Sequence, residues 1–134
     1  MKEMIRQYNP EVVILLETRC QFVRVSHFWS SLNYYPCFIE EAVGFSEGIW
    51  VLLHRNSGVS MKIMNQYYQA ITFEVWRENL SWICSAVYAS PVPTKREDLW
   101  RHLEELRTNI VLPWMLVGDF NEIFGTQRFV METW

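Results

Sequence analysis

Four polar residues follow apolar runs of the sequence, at positions where buried strands would end. Residues 12–16 precede the first of them, residues 83–87 precede the second, and residues 114–117 lead through Gly118 to the last two. The four residues are Glu17, Tyr88, Asp119 and Asn121. Short apolar runs are typical of buried strands, and polar loops gather where such strands end. We therefore expect these side chains to share one polar rim where hydrolysis or metal binding could take place.

The two acids are suited to holding a divalent cation. An ionised carboxylate beside apolar surface is costly unless a cation or strong hydrogen-bond donors compensate it. Mg²⁺ prefers oxygen ligands and keeps several waters, so the carboxylates of Glu17 and Asp119 with a phosphate would be enough to hold it. In an extended chain Asn121 would point to the same side as Asp119, and its amide could donate to a phosphate oxygen. The Tyr88 hydroxyl could do the same.

Each of these residues also has a purely structural interpretation. Glu17 is explained equally well as a solvated acid that ends a strand. Asp119 after a glycine is typical of a turn, and Asn121 is typical of a residue that caps one. Tyr88 fits a core tyrosine whose hydroxyl reaches solvent. From spacing alone, the structural interpretations of Asp119, Asn121 and Tyr88 would be preferred.

Three short motifs that contain these residues occur in an order that resembles the endonuclease/exonuclease/phosphatase superfamily, which includes apurinic endonucleases and deoxyribonuclease I. The motifs are Leu-Leu-Glu-Thr-Arg at residues 15–19, Val-Tyr-Ala-Ser-Pro at residues 87–91 and Gly-Asp-Phe-Asn-Glu at residues 118–122. Residues 44–50 and 112–114 add a closer resemblance to the endonuclease domain of plant LINE-type retrotransposons. Each motif is weak alone, but three in this order make a chance match improbable.

The resemblance implies a role for each of the four polar residues. Glu17 would be a ligand of Mg²⁺ or Mn²⁺, and Asp119 would orient or deprotonate the attacking water. Asn121 and Tyr88 would bind the scissile phosphate. The implied reaction is metal-assisted, in-line hydrolysis of a DNA phosphodiester, with no covalent enzyme intermediate. A functional retroelement nuclease would work in the nucleus.

The sequence also departs from the family pattern. The family begins with a strand that carries a metal-site Asn and ends with a metal-site Asp and a catalytic His, and neither motif occurs in this chain. His27, His54 and His102 do not correspond to that His by position. We therefore expect residues 1–134 to form a single partial domain that lacks the first strand and the C-terminal catalytic segment. The alternative to a nicking enzyme is a catalytically dead retroelement relic or a binding module without turnover.

Composition limits the remaining possibilities. A chain of 134 residues, half of them hydrophobic, suits one domain with a sizeable core. The net charge of −3 argues against a strong general attraction to nucleic acid, although an acidic metal site is compatible with it. Three scattered cysteines lack the spacing of a zinc site and fit a reduced intracellular environment. No apolar run approaches the roughly 20 residues that span a bilayer, so we expect no membrane association.

The pattern of elements predicts an α/β fold, more narrowly an α+β layered sandwich. The predicted helices are residues 2–8, residues 22–32 and one that begins at Thr94. The predicted strands are residues 12–16, 38–40, 48–54, 59–64, the hairpin at residues 71–88 and residues 114–117, with a loop at residues 44–48. The family resemblance implies a partial deoxyribonuclease-I-like fold with mixed, largely antiparallel sheets and flanking helices.

The helix that begins near Thr94 has the clearest local signals. Thr94 as N-cap with Glu97 three residues later predicts a capping box. Its apolar face is predicted to consist of Leu99, Leu103, Leu106 and Ile110. Its basic residues alternate with acids, which is typical of a solvated helix face. The basic residues are Lys95, Arg96, Arg101 and Arg107.

Overall fold

The computed structural model describes residues 1–41 and 48–121, which divide into two compact units, Met1–Val59 and Ser60–Trp134. The first unit contains helix α1 (Lys2–Tyr8), strand β1 (Val12–Thr18), a 3₁₀ helix (Phe22–Arg24), helix α2 (Ser26–Ser31), strand β2 (Tyr34–Glu40) and strand β3 (Gly48–His54). The second contains strands β4 (Val59–Tyr67, which begins at the last residue of the first unit), β5 (Ala70–Arg77) and β6 (Leu80–Tyr88), helix α3 (Pro93–Arg107) and strand β7 (Trp114–Asp119). The predicted loop at residues 44–48 lies outside the described residues except for Gly48. Glu122 of the third motif lies outside them as well.

The first unit is built on the apolar strand β3. Its order of strands is β1-β3-β2, and both neighbours pair with β3 in the antiparallel direction. All residues of β3 except the last are buried, which explains why this run is continuously apolar rather than alternating. Leu52 of β3 packs in one cluster with Ile5 of α1, Trp29 of α2 and Tyr34 of β2. This cluster is the core of the first unit.

The second unit is a four-stranded sheet in the order β4-β5-β6-β7. The predicted hairpin is confirmed, because β5 and β6 pair antiparallel from Ala70 opposite Val87 to Arg77 opposite Leu80. Helix α3 then connects β6 to β7, which runs parallel to β6. A parallel neighbour requires such a crossover, since a tight turn can only join antiparallel strands. Leu99 and Leu103 of α3 belong to the buried core of this unit.

The predicted capping box at the start of α3 is wrong. The helix begins at Pro93 with Val92 as its N-cap, and no side chain caps its first turn. Proline suits the first helical position because its fixed φ is helical and the N–H it lacks would have no partner there. The predicted solvated face is wrong at one position, since Arg96 is only 8% exposed.

The architecture is mixed α+β, with two largely antiparallel sheets and few helices, as the sequence predicted. The strand predicted at residues 114–117 extends to Asp119, so the candidate acid is part of β7 itself. In the part of the chain that the structure describes, no helix is long and apolar enough to cross a membrane.

Candidate active site at the ends of β6 and β7

Tyr88 and Asp119 are neighbours at the C-terminal ends of two parallel strands. The pairing of β6 with β7 continues to its last pair, in which Tyr88 stands opposite Asp119. Beyond this pair, the N–H of Ala89 donates to the backbone carbonyl of Asp119 over 2.8 Å. Both residues are half-buried. The pairing of the two strands therefore places a tyrosine and an aspartate opposite each other, although the sequence separates them by about thirty positions.

Gly118 allows β7 to approach β6 this closely. Its φ is +144°, and a β-carbon added there would lie 1.9 Å from the carbonyl oxygen of Val87. No side chain fits at that distance, and residues other than glycine rarely adopt this φ. Gly118 is thus required by the packing of the two strands immediately before the candidate acid.

Asn121 is held close to Asp119 by a local turn. Its backbone N–H donates to Oδ1 of Asp119 over 2.9 Å, and its φ of 50° is left-handed. The chain therefore leaves the extended conformation here, and the prediction that Asn121 alternates with Asp119 along a strand is wrong. Aspartate accepts a hydrogen bond from the residue two positions later in many turns, and asparagine tolerates the left-handed region. The exposed Asn121 nevertheless stays within one turn of the acid.

A buried amide that the sequence analysis did not single out supports the end of β6. Gln69 is 2% exposed and lies between β4 and β5. Its backbone carbonyl accepts the N–H of Tyr88 over 2.8 Å, and its Oε1 accepts the N–H of Ser90 over 2.7 Å. Its Nε2 donates to the carbonyl of Lys95 over 2.7 Å. Gln69 is the second residue of the two-residue connection between β4 and β5, where a polar side chain is usually exposed. Only the structure therefore reveals that it is buried.

A second buried polar network lies deeper in the same sheet. The indole N–H of Trp114 donates to Oγ of Ser85 over 3.0 Å, and Ser85 and Thr72 share a hydrogen bond of 2.7 Å. These residues belong to β7, β6 and β5, and all three are buried. A buried donor or acceptor that loses its partner is costly. The network therefore favours one register of β7 against β6, and that register sets Asp119 opposite Tyr88.

Glu17 lies in the first unit and is held differently. Its φ is 59°, and the pairing of β1 with β3 shifts register between Leu16 and Thr18. Such a bulge redirects a side chain, and left-handed residues other than glycine occur preferentially at functional positions. The side chain is exposed, and within the described ranges no hydrogen-bond donor contacts its carboxylate.

The carboxylates of Glu17 and Asp119 have the chemistry that a hard divalent cation needs. Both offer oxygen ligands, and Glu17 directs its carboxylate to solvent. Residues 1–41 and 48–121 contain no group of three or more His, Cys, Asp or Glu side chains that could hold a metal. A cation at either carboxylate would therefore complete its coordination with waters or phosphate oxygens, as Mg²⁺ commonly does.

Two histidines, His54 and His102, make contacts typical of structural residues. His102 stacks on Tyr67 with ring centroids 4.0 Å apart, and its buried Nε2 has no hydrogen-bond partner among the described residues. Burial lowers the pKa of His102, while nearby Glu105 acts in the opposite direction. Nδ1 of His54 accepts the N–H of Asn56 over 3.1 Å. Burial also raises the pKa of the Cys84 thiol to about 11, so this cysteine is not a reactive thiolate.

Comparisons with known proteins show the family and the fold of this chain. The sequence profile of the Endonuclease/Exonuclease/phosphatase family matches residues 1–129. The chain therefore belongs to the Endonuclease/Exonuclease/phosphatase family, whose enzymes generally use divalent metal ions. No curated protein matches the sequence.

Solved structures show the same fold. The human Nocturnin catalytic domain with bound sulfate anion is 18% identical, with a TM-score of 0.61 over 90% of this chain and 55% of that chain. D. rerio TDP2 complexed with single strand DNA product is 16% identical, with a TM-score of 0.65 over 90% of this chain and 52% of that chain. ANGEL2, a 2′,3′-cyclic phosphatase in complex with adenosine-2′,3′-vanadate, is 11% identical, with a TM-score of 0.59 over 92% of this chain and 43% of that chain.

These matches confirm the deoxyribonuclease-I-like fold that the sequence motifs implied. The chain spans about half the length of the solved structures it matches. At such low identity the likeness concerns the fold, and it leaves the reaction to be argued from the residues of this chain.

Proposed function

We propose that this chain is part of a metal-dependent phosphodiesterase that nicks DNA, of the type found in LINE-type retrotransposons. The observation that carries the proposal is the pairing of Tyr88 with Asp119 at the ends of β6 and β7, with Asn121 one turn away. A carboxylate can act as a general base toward water, and a phenol and an amide can donate hydrogen bonds to the phosphate, so these groups suit hydrolysis of a phosphodiester. Membership of the Endonuclease/Exonuclease/phosphatase family supports the same reaction class.

Asp119 is assigned to the attacking water. Its Oδ1 accepts the N–H of Asn121, which fixes the plane of the carboxylate relative to the turn. A carboxylate fixed in this way can accept a hydrogen bond from water and take up its proton as the water attacks phosphorus. The residues assigned to the phosphate, Tyr88 and Asn121, lie at the ends of the same two strands. The water and the phosphate would therefore be oriented by the same backbone.

Tyr88 and Asn121 are assigned to the phosphate. A phenol hydroxyl and a side-chain amide both donate hydrogen bonds to phosphate oxygens, and neither adds negative charge. Donors aimed at oxygens that gain charge in the transition state stabilise that state more than the ground state. These two residues would therefore orient the phosphodiester for in-line attack and stabilise the charge that develops on it.

Glu17 is assigned to the metal ion, Mg²⁺ or Mn²⁺. When bound, such an ion neutralises charge on the phosphate and on the leaving oxygen. The exposed carboxylate on the bulge of β1 supports this assignment, because no donor among residues 1–41 and 48–121 contacts it and its lone pairs are available to a ligand. The left-handed φ of Glu17 fits the same idea, since strain is often retained where function needs it.

The proposed partner is nucleic acid. D. rerio TDP2, a structure with the same fold, is complexed with a single strand DNA product, which favours a DNA phosphodiester over other substrates. The retroelement assignment rests on the motifs at residues 44–50 and 112–114. If the protein is part of a functional retroelement, we propose that it acts inside the cell, in the nucleus. The alternative function is a binding module, or a degenerate copy, that keeps the fold and does not turn over.

Plasmid nicking tests the proposal. The 134-residue chain and the longest protein encoded by its transcript would be incubated with supercoiled plasmid in Mg²⁺, in Mn²⁺ and in chelator. We expect the transcript-encoded protein to nick only with metal, and Asp119→Asn to slow nicking by about 10²–10⁴-fold, since that is the usual contribution of a general base. The matched control is Asp98→Asn, which changes the same chemical group on the exposed face of α3.

The outcomes separate the two functions. Undiminished nicking by Asp119→Asn would contradict the assignment of Asp119. Oligonucleotide binding without nicking in any metal, by both proteins, would favour the binding module. Reproducible metal-dependent nicking by the 134-residue chain would contradict the binding module.

A further inference from the structure

Arg96 is a buried cation close to the candidate site. Its side chain lies on α3 and is 8% exposed, although arginine is almost never this buried unless it is paired. Its Nη1 donates to the backbone carbonyl of Ser90 over 3.1 Å and to that of Pro91 over 2.9 Å. In the described part of the chain, no carboxylate forms an ion pair with it. Two carbonyls orient the guanidinium, but they do not neutralise its charge.

Arg96 and Gln69 hold the same short segment from two sides. Gln69, through its backbone carbonyl and its side chain, binds the donors of Tyr88 and Ser90, and the Arg96 side chain binds the acceptors of Ser90 and Pro91. Nε2 of Gln69 also binds the carbonyl of Lys95, which immediately precedes Arg96 on the helix. The two buried residues are joined to each other through α3. We call these two residues the Gln69–Arg96 clamp.

The clamp places a positive charge, which no carboxylate of the described residues pairs with, beside the ends of β6 and β7. Arg96 binds the carbonyls of Ser90 and Pro91, two and three positions after Tyr88. The residue that directly follows Tyr88, Ala89, donates its N–H to the backbone carbonyl of Asp119. Charges that are buried are screened by salt much less than exposed ones. Lys95, the neighbouring cation on α3, is exposed, and Asp119 carries a negative charge. Arg96 is therefore the buried cation near this acid. A phosphate that approaches Tyr88 would thus meet the field of Arg96 at short range.

We propose that the Gln69–Arg96 clamp positions Tyr88 and that the charge of Arg96 gives this end of the sheet its affinity for an anionic phosphodiester. The inference rests on the proposed function for its ligand class. It adds Arg96 as a positioning residue that acts through the backbone and through its charge and does not touch the substrate. It also explains why a cation is kept in a site where an apolar side chain would avoid the cost of burial.

Titration with inorganic phosphate, followed by the backbone amide NMR signals of the 134-residue chain, tests the inference. We expect phosphate to shift the amides of residues 88–90 and 119–121 in a saturable way. Arg96→Gln should weaken phosphate binding by about fivefold, because salt screens a buried charge much less than an exposed one. The matched control is Arg101→Gln, which removes the same charge from an exposed arginine of α3 and should leave the affinity unchanged within about twofold.

Arg96→Lys separates charge from position and remains informative if Arg96→Gln does not fold. Lysine keeps the charge but has no fork that reaches both carbonyls. We expect phosphate affinity within about twofold of the unmodified chain, whereas the amides of Tyr88 and Ser90 shift in the free protein because the segment is no longer held in place. Unmoved amides in Arg96→Lys would overturn the positioning role.

The remaining outcomes decide between this inference and the proposed function. Equal phosphate affinity in Arg96→Gln and in Arg101→Gln would overturn the role of the charge. Absence of any phosphate-induced shift in the unmodified chain would overturn it as well, whatever the plasmid assay shows. Phosphate binding that depends on Arg96, together with no nicking in any metal, would contradict the proposed reaction and leave this inference standing.

Discussion

The two candidate acids lie at or next to the end of a strand, and the structure holds them in different ways. Asp119 is half-buried, its backbone carbonyl is bonded to Ala89, and its carboxylate accepts the amide of Asn121. Glu17 is exposed, stands on a bulge and has a left-handed backbone with no donor to its carboxylate among the described residues. Asp119 is positioned by neighbours on several strands, whereas Glu17 is positioned by its own backbone.

The difference indicates where each acid depends on the rest of the chain. Gly118, the network of Trp114, Ser85 and Thr72, and Gln69 all contribute to the geometry around Asp119. Preorganised groups of this kind lose function when a supporting contact is lost, even one far from the chemistry. An exposed acid on a bulge tolerates changes around it and gains its order from a ligand. Substitutions should therefore disturb the Asp119 region much more than the Glu17 region.

The largest expected effect is that of Gly118→Ala. The new β-carbon would lie 1.9 Å from the carbonyl oxygen of Val87, at a φ of +144°. Strand separation and backbone strain together should lower the free energy of unfolding by about 3 kcal/mol or more, measured by urea denaturation. The control is Gly58→Ala in an exposed turn, which should change stability by less than about 1 kcal/mol. Equal effects at both glycines would contradict the close approach of β7 to β6.

A smaller effect is expected from Ser85→Ala. This change leaves the Trp114 indole N–H and the Thr72 hydroxyl buried without their shared partner. We expect the free energy of unfolding to fall by about 2 kcal/mol. The backbone amide NMR signal of Asp119 should also shift, because the register of β7 is less strongly specified. Ser60→Ala, on the exposed side of β4, serves as control and should be close to neutral. A neutral Ser85→Ala would mean that the network does not hold β7.

The smallest effect on stability is expected at Glu17, where, unlike at Gly118, glycine should be more stable than alanine. Glycine adopts the left-handed φ of 59° without the cost that a β-carbon brings. Glu17→Gly should therefore be about 1 kcal/mol more stable than Glu17→Ala, which removes the same carboxylate but keeps the β-carbon. Thermal unfolding of the two variants measures this difference. If alanine were the more stable, the bulge at Glu17 would not be strained.

The sequence predicted the local parts of this site well. Alternation of apolar and polar residues located the β5–β6 hairpin, because the period of a strand depends only on which face is buried. The Gly118–Asp119 pair indicated that β7 ends nearby, since a glycine followed by an acid is typical of a turn, although the strand includes both residues. Local reasoning was wrong at the start of α3, where Pro93 rather than Thr94 sets the first turn.

What the sequence determined by itself is the family, the order of most elements and the identity of the four polar residues at strand ends, because these depend on neighbouring positions in the chain. Only the tertiary structure decided that β7 lies parallel to β6, that Tyr88 stands opposite Asp119, and that Gln69 and Arg96 are buried behind them. Burial of a polar side chain depends on partners distant in the sequence. The side-chain partners of Gln69, the N–H of Ser90 and the carbonyl of Lys95, lie 21 and 26 positions away, so no local pattern identifies them.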